Sequence, residues 1–249
     1  MEPTLLALDT STETMALALL SPAGCWLRHA AGGASASAQL LPAVQALLAE
    51  AGLTLQQLDA VAFGRGPGAF TGLRTACAVA QGLAFGIGKP VLAIDSLLLV
   101  ADDAQAQAPA ADDQALHWVA MDARMDEAYA AAYRRDPAGG WHEQHAPALY
   151  TLPALAALWL QEPPTRVAGS AVRAFAARLP LAAARLLATE HDRAAALGRL
   201  ARAAWVAGLA IDPALALPLY LRDKVALTTA ERLAQRERAA AAAAATGAA

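Results

Sequence analysis

The order in which the hydrophobic period changes along the first hundred residues is the tightest constraint on the fold. Residues 4–9 read as a buried strand, 14–20 as a second and 25–31 as a third. They are joined by the polar turn Thr10-Ser11-Thr12-Glu13 and by Pro22-Ala23-Gly24. Connections this short make an antiparallel meander. The period then becomes helical: Leu40, Leu41, Val44, Leu47 and Leu48 recur on one pattern, with Pro42 in the first turns and Gly52 where a C-cap belongs. Residues 59–64 form a short apolar strand, about 70–85 a long helix and 91–94 another strand, and Asp95 or Ser96 caps a further helix. A meander feeding βα units predicts an α/β fold with a mixed sheet covered by helices.

The second half opens the same way. Residues 104–114 read as a loop or linker, then strand 116–121, a turn at Asp122-Ala123-Arg124-Met125, strand 127–133 and a third extended stretch, 141–150. Helices are expected from Pro153 to Leu160, over about 171–179 and over 193–209, with a short strand at 166–168. Pro218 to Arg222 is extended, and Thr228 or Thr229 caps a charged helix ending near Arg238. Two similar openings suggest a duplicated architecture, although no residue-level repeat is visible.

Composition narrows the function classes. The chain is 57% hydrophobic, but 71 of its 249 residues are alanine, so the larger apolar side chains are present in ordinary amount. The formal charge of −3 argues against a global attraction to nucleic acid. Cys25 and Cys77 are too few for a disulfide framework or a four-cysteine zinc site. The acidic start lacks a signal peptide's basic region, and no run of about 18 residues is both uncharged and strongly apolar, the nearest, 75–88, being too short to span a bilayer. The expectation is a cytoplasmic protein with reduced thiols.

Two loops carry the candidate chemistry. Gly64-Arg65-Gly66-Pro67-Gly68-Ala69-Phe70-Thr71-Gly72-Leu73-Arg74 follows a strand and opens a helix. Glycines there permit close backbone approach, and a helix N-terminus offers N–H groups to an anion. A phosphate or carboxylate cradle, a tight partner contact and a purely structural strand-to-helix turn all remain open. The stretch is neither a P-loop nor a dinucleotide fingerprint, since both glycine spacings are missing. Asp9-Thr10-Ser11-Thr12 at the end of the first strand could orient phosphate or a hydrated metal ion, or simply form a self-satisfied turn.

Other patterns are weaker. Ala76, Ala80 and Ala84 form one row of small residues on the long helix, and Ala78, Gly82 and Gly86 another; either row allows close helix packing. His142-Glu143-Gln144-His145 has its histidines three apart in an extended segment, which is wrong for a zinc helix. The basic stretch Arg222, Lys224, Arg232, Arg236 and Arg238 reads as a solvated face.

Together, Leu8-Asp9-Thr10-Ser11-Thr12-Glu13, the glycine loop 64–74, Ala80-Gln81-Gly82-Leu83-Ala84, Asp122-Ala123-Arg124-Met125 and Tyr220-Leu221-Arg222 resemble the bacterial TsaB family, also called YeaZ. The resemblance implies an actin-like (ASKHA) fold of two ribonuclease-H-like lobes, with mixed sheets flanked by helices. It implies a first lobe over 1–103, carrying the glycine loop and the dimerisation surface, and a second, degenerate lobe over 104–238. The alanine-rich tail, 239–249, lies outside the resemblance and is expected to be disordered.

The function it implies is that of a non-catalytic accessory subunit in making N6-threonylcarbamoyladenosine at position 37 of tRNAs that read codons beginning with A. The implied partners are the TsaD transferase, the TsaE ATPase and a second copy of the chain, with tRNA touched weakly or indirectly. No cofactor of its own is implied; ATP or ADP would belong to the subunit interface. Asp9, Ser11, Thr12, Gly66 and Gly68 would be remnants of the nucleotide cleft, and Leu41, Val44, Leu48, Arg74 and Ala78 the interface.

The metal-binding paralogue of this family carries a His-x-x-x-His pair after the strand that follows the glycine loop. Here that stretch is Ile94-Asp95-Ser96-Leu97-Leu98-Leu99-Val100, without the two imidazoles such a site needs. Many relatives also carry His-Ser before Leu-Leu-Pro, where this chain reads Ser35-Ala36-Ser37-Ala38-Gln39-Leu40-Leu41-Pro42. Two rival functions exist on related folds. A stand-alone ATP-dependent kinase would need a second phosphate loop, and a peptidase would need a nucleophile paired with a base; the sequence offers neither.

Overall fold

The five residues of β1 (Leu5–Asp9) are all buried because both faces of their sheet are covered. The computed structural model describes residues 2–108 and 115–222. β1 pairs antiparallel with β2 (Thr14–Ser21), which pairs antiparallel with β3 (Gly24–Ala31). Exposure alternates along β3, as expected for an edge strand with one wet face. α1 (Ala36–Ala51) ends at Gly52, whose φ of +66° supplies the left-handed C-cap. β4 (Ala60–Gly66) lies parallel to β1, α2 (Phe70–Ile87) crosses over, and β5 (Val91–Asp95) lies parallel to β4. The sheet order is β3-β2-β1-β4-β5.

After α3 (Ser96–Gln107) the pattern repeats. β6 (Leu116–Asp122), β7 (Glu127–Arg135) and β8 (Trp141–Thr151) form an antiparallel meander. α4 (Leu152–Gln161) leads to β9 (Arg166–Ala168), which is parallel to β6; α5 (Ala171–Ala174) leads to β10 (Arg185–Leu187), which is parallel to β9. The order β10-β9-β6-β7-β8 matches the first sheet strand for strand. Two mixed sheets of one topology, each flanked by helices, make the actin-like two-lobe arrangement.

Packing shows why the second half of the chain is shared between lobes. One face of the first sheet (Leu6, Leu8, Leu17, Phe63) packs on α1 and α2. The other (Leu5, Ala7, Ala62, Ile94) packs on Leu197 and Leu200 of α6 (Arg193–Val206). α3 lies beside α6, and its Leu97, Val100 and Ala104 meet Val119, Ala131 and Tyr133 of the second sheet. The outer face of that sheet holds Trp118, Leu155 and Trp159 with α4.

Several expectations change. α6 packs on the first sheet and Ile211 after it pairs with Val91, so described residues beyond 193 reach back to the first half of the chain. α3 runs on to Gln107 through what reads as a linker, because Ala104 and Ala108 are small enough to be buried there. The expected helix 171–179 is regular only to Ala174, and strand β10 is an addition. The hairpin turn places Arg124, Met125 and Asp126 at positive φ. The capped helix after Thr228, the basic stretch beyond Arg222 and the alanine-rich tail lie outside the described residues. Among the described residues no helix is long and apolar enough to cross a membrane.

Candidate functional site

A cleft of about 580 Å³ opens between the lobes, between the β1–β2 turn and the glycine loop on one side and the β6–β7 turn on the other. Ser11, Thr12 and Gly68 line it, and Asp9 lies beneath, fully buried. The structure therefore brings four of the five expected cleft residues to one place, with Gly66 just behind them.

The two loops are stitched together. Ala69 N–H donates to the Ser11 carbonyl at 2.8 Å, and Thr10 Oγ1 donates to the Gly72 carbonyl at 2.6 Å. Thr12 Oγ1 turns back to its own hairpin, donating to the Thr14 carbonyl at 2.8 Å. A β-carbon at Gly68 would lie 2.6 Å from Ser11 Cβ. These contacts favour the structural reading of the glycine loop: the space a phosphate cradle would need is filled by the neighbouring turn. Gly66 N–H donates to Ser96 Oγ at 3.1 Å, fixing the loop to the start of α3.

Asp9 is the centre of a buried network. It accepts from the Ser11 N–H (3.1 Å) and hydroxyl (2.8 Å), from Ser96 Oγ (3.1 Å) and from Arg193 Nε (3.0 Å). Arg193 also donates to Ser11 Oγ at 2.9 Å and to Glu190 at 2.5 Å. Burial works to lower the Arg193 pKa, but the charges of Asp9 and Glu190 outweigh it and hold the guanidinium above the ordinary arginine range. Between the ends of β4 and β5, a hydrogen bond to Asp95 at 2.5 Å likewise raises Arg65.

Arg193 escaped the sequence reading. One local signal was available: it is the first residue of α6, directly after the Asp192 N-cap. A cation there opposes the helix dipole, so a compensating anion is to be expected nearby.

The expected interface residues divide. Leu41 is 45% exposed, and Arg74 and Ala78 are exposed, but Val44 and Leu48 are only 1% and 6% exposed and belong to the core beneath α1. The row Leu40, Val44, Leu47 faces the sheet, which turns Leu41 outward. On α2, Ala76, Ala80 and Ala84 are buried against the sheet, whereas Ala78, Gly82 and Phe85 face solvent, Phe85 at 58%. Arg74 is engaged within the chain: its guanidinium lies 3.7 Å from the Phe70 ring centre, and Nε donates to the Tyr220 hydroxyl at 3.0 Å. His142 and His145, on the extended β8, pair separately with Asp136 and Glu162. Among the described residues no three histidine, cysteine or carboxylate side chains group as a metal site.

Comparison with known proteins follows the same lines. A family model described as TsaD, tRNA N6-adenosine threonylcarbamoyltransferase, matches residues 33–139. The tRNA threonylcarbamoyladenosine biosynthesis protein TsaB of Haemophilus influenzae is 46% identical over 127 residues, 51% of this chain and 52% of that protein. The Escherichia coli K12 protein of the same name is 37% identical over 145 residues, 58% of this chain and 61% of that protein. The chain thus aligns with only about half to three fifths of these curated relatives. The solved structure of YeaZ from Pseudomonas aeruginosa is 37% identical, with a TM-score of 0.77 over 88% of this chain and 100% of that one.

Proposed function

Because this chain belongs to the TsaB (YeaZ) family, we propose that it is the accessory subunit of a tRNA threonylcarbamoyladenosine assembly. In this reading it acts in the cytoplasm on adenosine 37 of tRNAs that read codons beginning with A, beside a TsaD-type transferase and a TsaE-type ATPase. The observation that carries the reading is the likeness to YeaZ, which extends over the whole of that chain and so includes both lobes.

The site supports a role without chemistry of its own. Asp9, the fully buried carboxylate beneath the cleft, is committed to Arg193 and two hydroxyls, and Glu190 beside it is paired with the same arginine. A general base or metal ligand needs a free lone pair aimed at a reactant. What the chain offers a partner is the outer face of α1 and α2: Leu41, Ala78 and Phe85 are exposed, and Gly82 and Gly86 meet no other atom where a β-carbon would stand. Two such faces can approach closely, whether the second belongs to a transferase or to another copy of this chain. With a net charge of −3, tRNA is left mainly to the partner.

The test is genetic and biochemical. Deletion of the gene should strip threonylcarbamoyladenosine from bulk tRNA, measured by nucleoside mass spectrometry, and the tagged chain should co-purify with its TsaD-type paralogue. Intact modified nucleoside in the deletion strain rejects the reading. So does ATP hydrolysis or phosphoryl transfer by the purified chain at an ordinary enzymatic rate.

A further inference from the structure

Asp9 with Ser11 and Thr12 is the donor set through which a fold of this kind would hold a hydrated divalent cation and its nucleotide. The residues around them do not fit that group. We infer that Arg193 is a built-in cation standing where the metal ion would stand, and that it makes the interlobe cleft independent of metal and of metal–nucleotide.

Four observations converge. Neither carboxylate oxygen of Asp9 faces the cleft: Oδ1 is filled by Arg193 and Ser11, and Oδ2 accepts from Ser96 Oγ and packs on Gly64, with Asp9 fully buried. The guanidinium is 5% exposed and spreads its remaining donors over Glu190, Ser11 Oγ and, at 3.4 Å, the Ser96 carbonyl. An incoming cation would have to displace the guanidinium from Asp9 and Ser11, breaking a buried ion pair, which is costly. The phosphate path is closed as well, since Gly68 packs on Ser11 and the Ala69 N–H is spent on the Ser11 carbonyl. Finally, Asp9 and Glu190 against Arg193 leave one negative charge at the base, which repels a polyphosphate.

The position of Arg193 adds weight. It sits at the positive end of α6, where a carboxylate or a neutral residue is ordinarily favoured. A cation tolerated there is tolerated for what it neutralises, and its partner Asp9 lies 184 residues earlier in the chain.

The test uses purified full-length chain, with Mn2+ as the probe. Calorimetric titration of the wild type should give no binding heat, and its melting temperature should not move with millimolar Mg2+ or Mn2+. Arg193→Ala should melt about 10 °C lower, the scale set by stranding a buried charge. Millimolar Mn2+ should recover a substantial part of that loss. The recovery should vanish when Asp9→Asn is added.

Mn2+ binding to the wild type that Asp9→Asn abolishes overturns the inference, as does a folded Arg193→Ala that ignores metal. Should Arg193→Ala not fold, the pair Asp9→Asn with Arg193→Met decides. Removing both charges should restore a melting temperature within a few degrees of wild type; a double variant that also fails to fold overturns the inference. None of these readouts involves tRNA or a partner, so the result stands apart from the accessory-subunit reading.

Discussion

Gly64 and Gly72 sit where a β-carbon has no room. At Gly64 it would lie 1.7 Å from Asp9 Oδ2, and at Gly72 1.8 Å from the Thr10 carbonyl oxygen. Neither neighbour can give way, since Asp9 is held by Ser11, Ser96 and Arg193, and Thr10 is held in the β1–β2 turn by its own bond to Gly72. Gly64→Ala and Gly72→Ala should each destabilise the chain by about 2–3 kcal/mol or more, as overpacking of a tight core does. Gly82 is the internal control: it lies on exposed α2 with no outside atom within 4 Å of a β-carbon. Gly82→Ala should stabilise by about 0.5–1 kcal/mol through helix propensity. Urea denaturation of the three variants measures this. If Gly64→Ala matched Gly82→Ala, close packing would not be the reason for the glycine, and an anion cradle would again be the better account of the loop.

At the scale of the element, α1 and α2 show what sequence pattern conveys and what it leaves open. Periodicity locates both helices and the meander before them, because strands of period two and helices of period 3.6 leave different marks on the chain. It also gives the inward face of α1, since Leu40, Leu41, Val44, Leu47 and Leu48 fall within about 120° of the helix circumference, but not where that face ends. Only the sheet decides, and it takes Val44 and leaves Leu41 out. Val44→Arg should therefore unfold the monomer, since it buries an unpaired charge. Ala78→Arg, on the open face of α2, should leave the melting temperature almost unchanged and weaken association with a second copy or a transferase partner, as read by sedimentation or pull-down. A folded Val44→Arg would put that residue back at the surface. The cleft was half legible for a related reason. Asp9, Ser11 and the glycine loop announce themselves by composition and by position after strands. Arg193 depends on a partner 184 residues away, and no local pattern carries such a pairing. Alanine adds its own ambiguity: Ala104 fits a linker as well as a helix until the second sheet is seen to close on it.

Across the whole molecule, the lobes are joined on two sides of the cleft. On the inner side α3 packs against both sheets, and its Asp102 accepts from Arg199 of α6 and Trp141 of β8. On the open side the described C-terminal segment runs as a strap. Its Pro213 and Ala216 carbonyls accept from Gln81 of α2, and its Leu219 N–H donates to the Arg65 carbonyl at 2.7 Å. The strap then crosses to the second lobe, where Arg222 meets Glu127 at 2.5 Å and the Arg124 carbonyl at 3.4 Å. Among the described residues the strap spans the mouth of the cleft, so opening the cleft strains it. Arg222→Ala should cost about 1 kcal/mol, a charge-assisted bond discounted for its partial exposure, and so lower the melting temperature by about 2–4 °C. The stronger expectation concerns geometry. Spin labels at the exposed positions Ser37 and Ala157, one on each lobe, should report a narrow distance distribution in the wild type and a broader, longer one in Arg222→Ala. A melting temperature that falls while the distribution keeps its width would make Arg222 a local brace of the β6–β7 turn and leave interlobe closure to α3 alone.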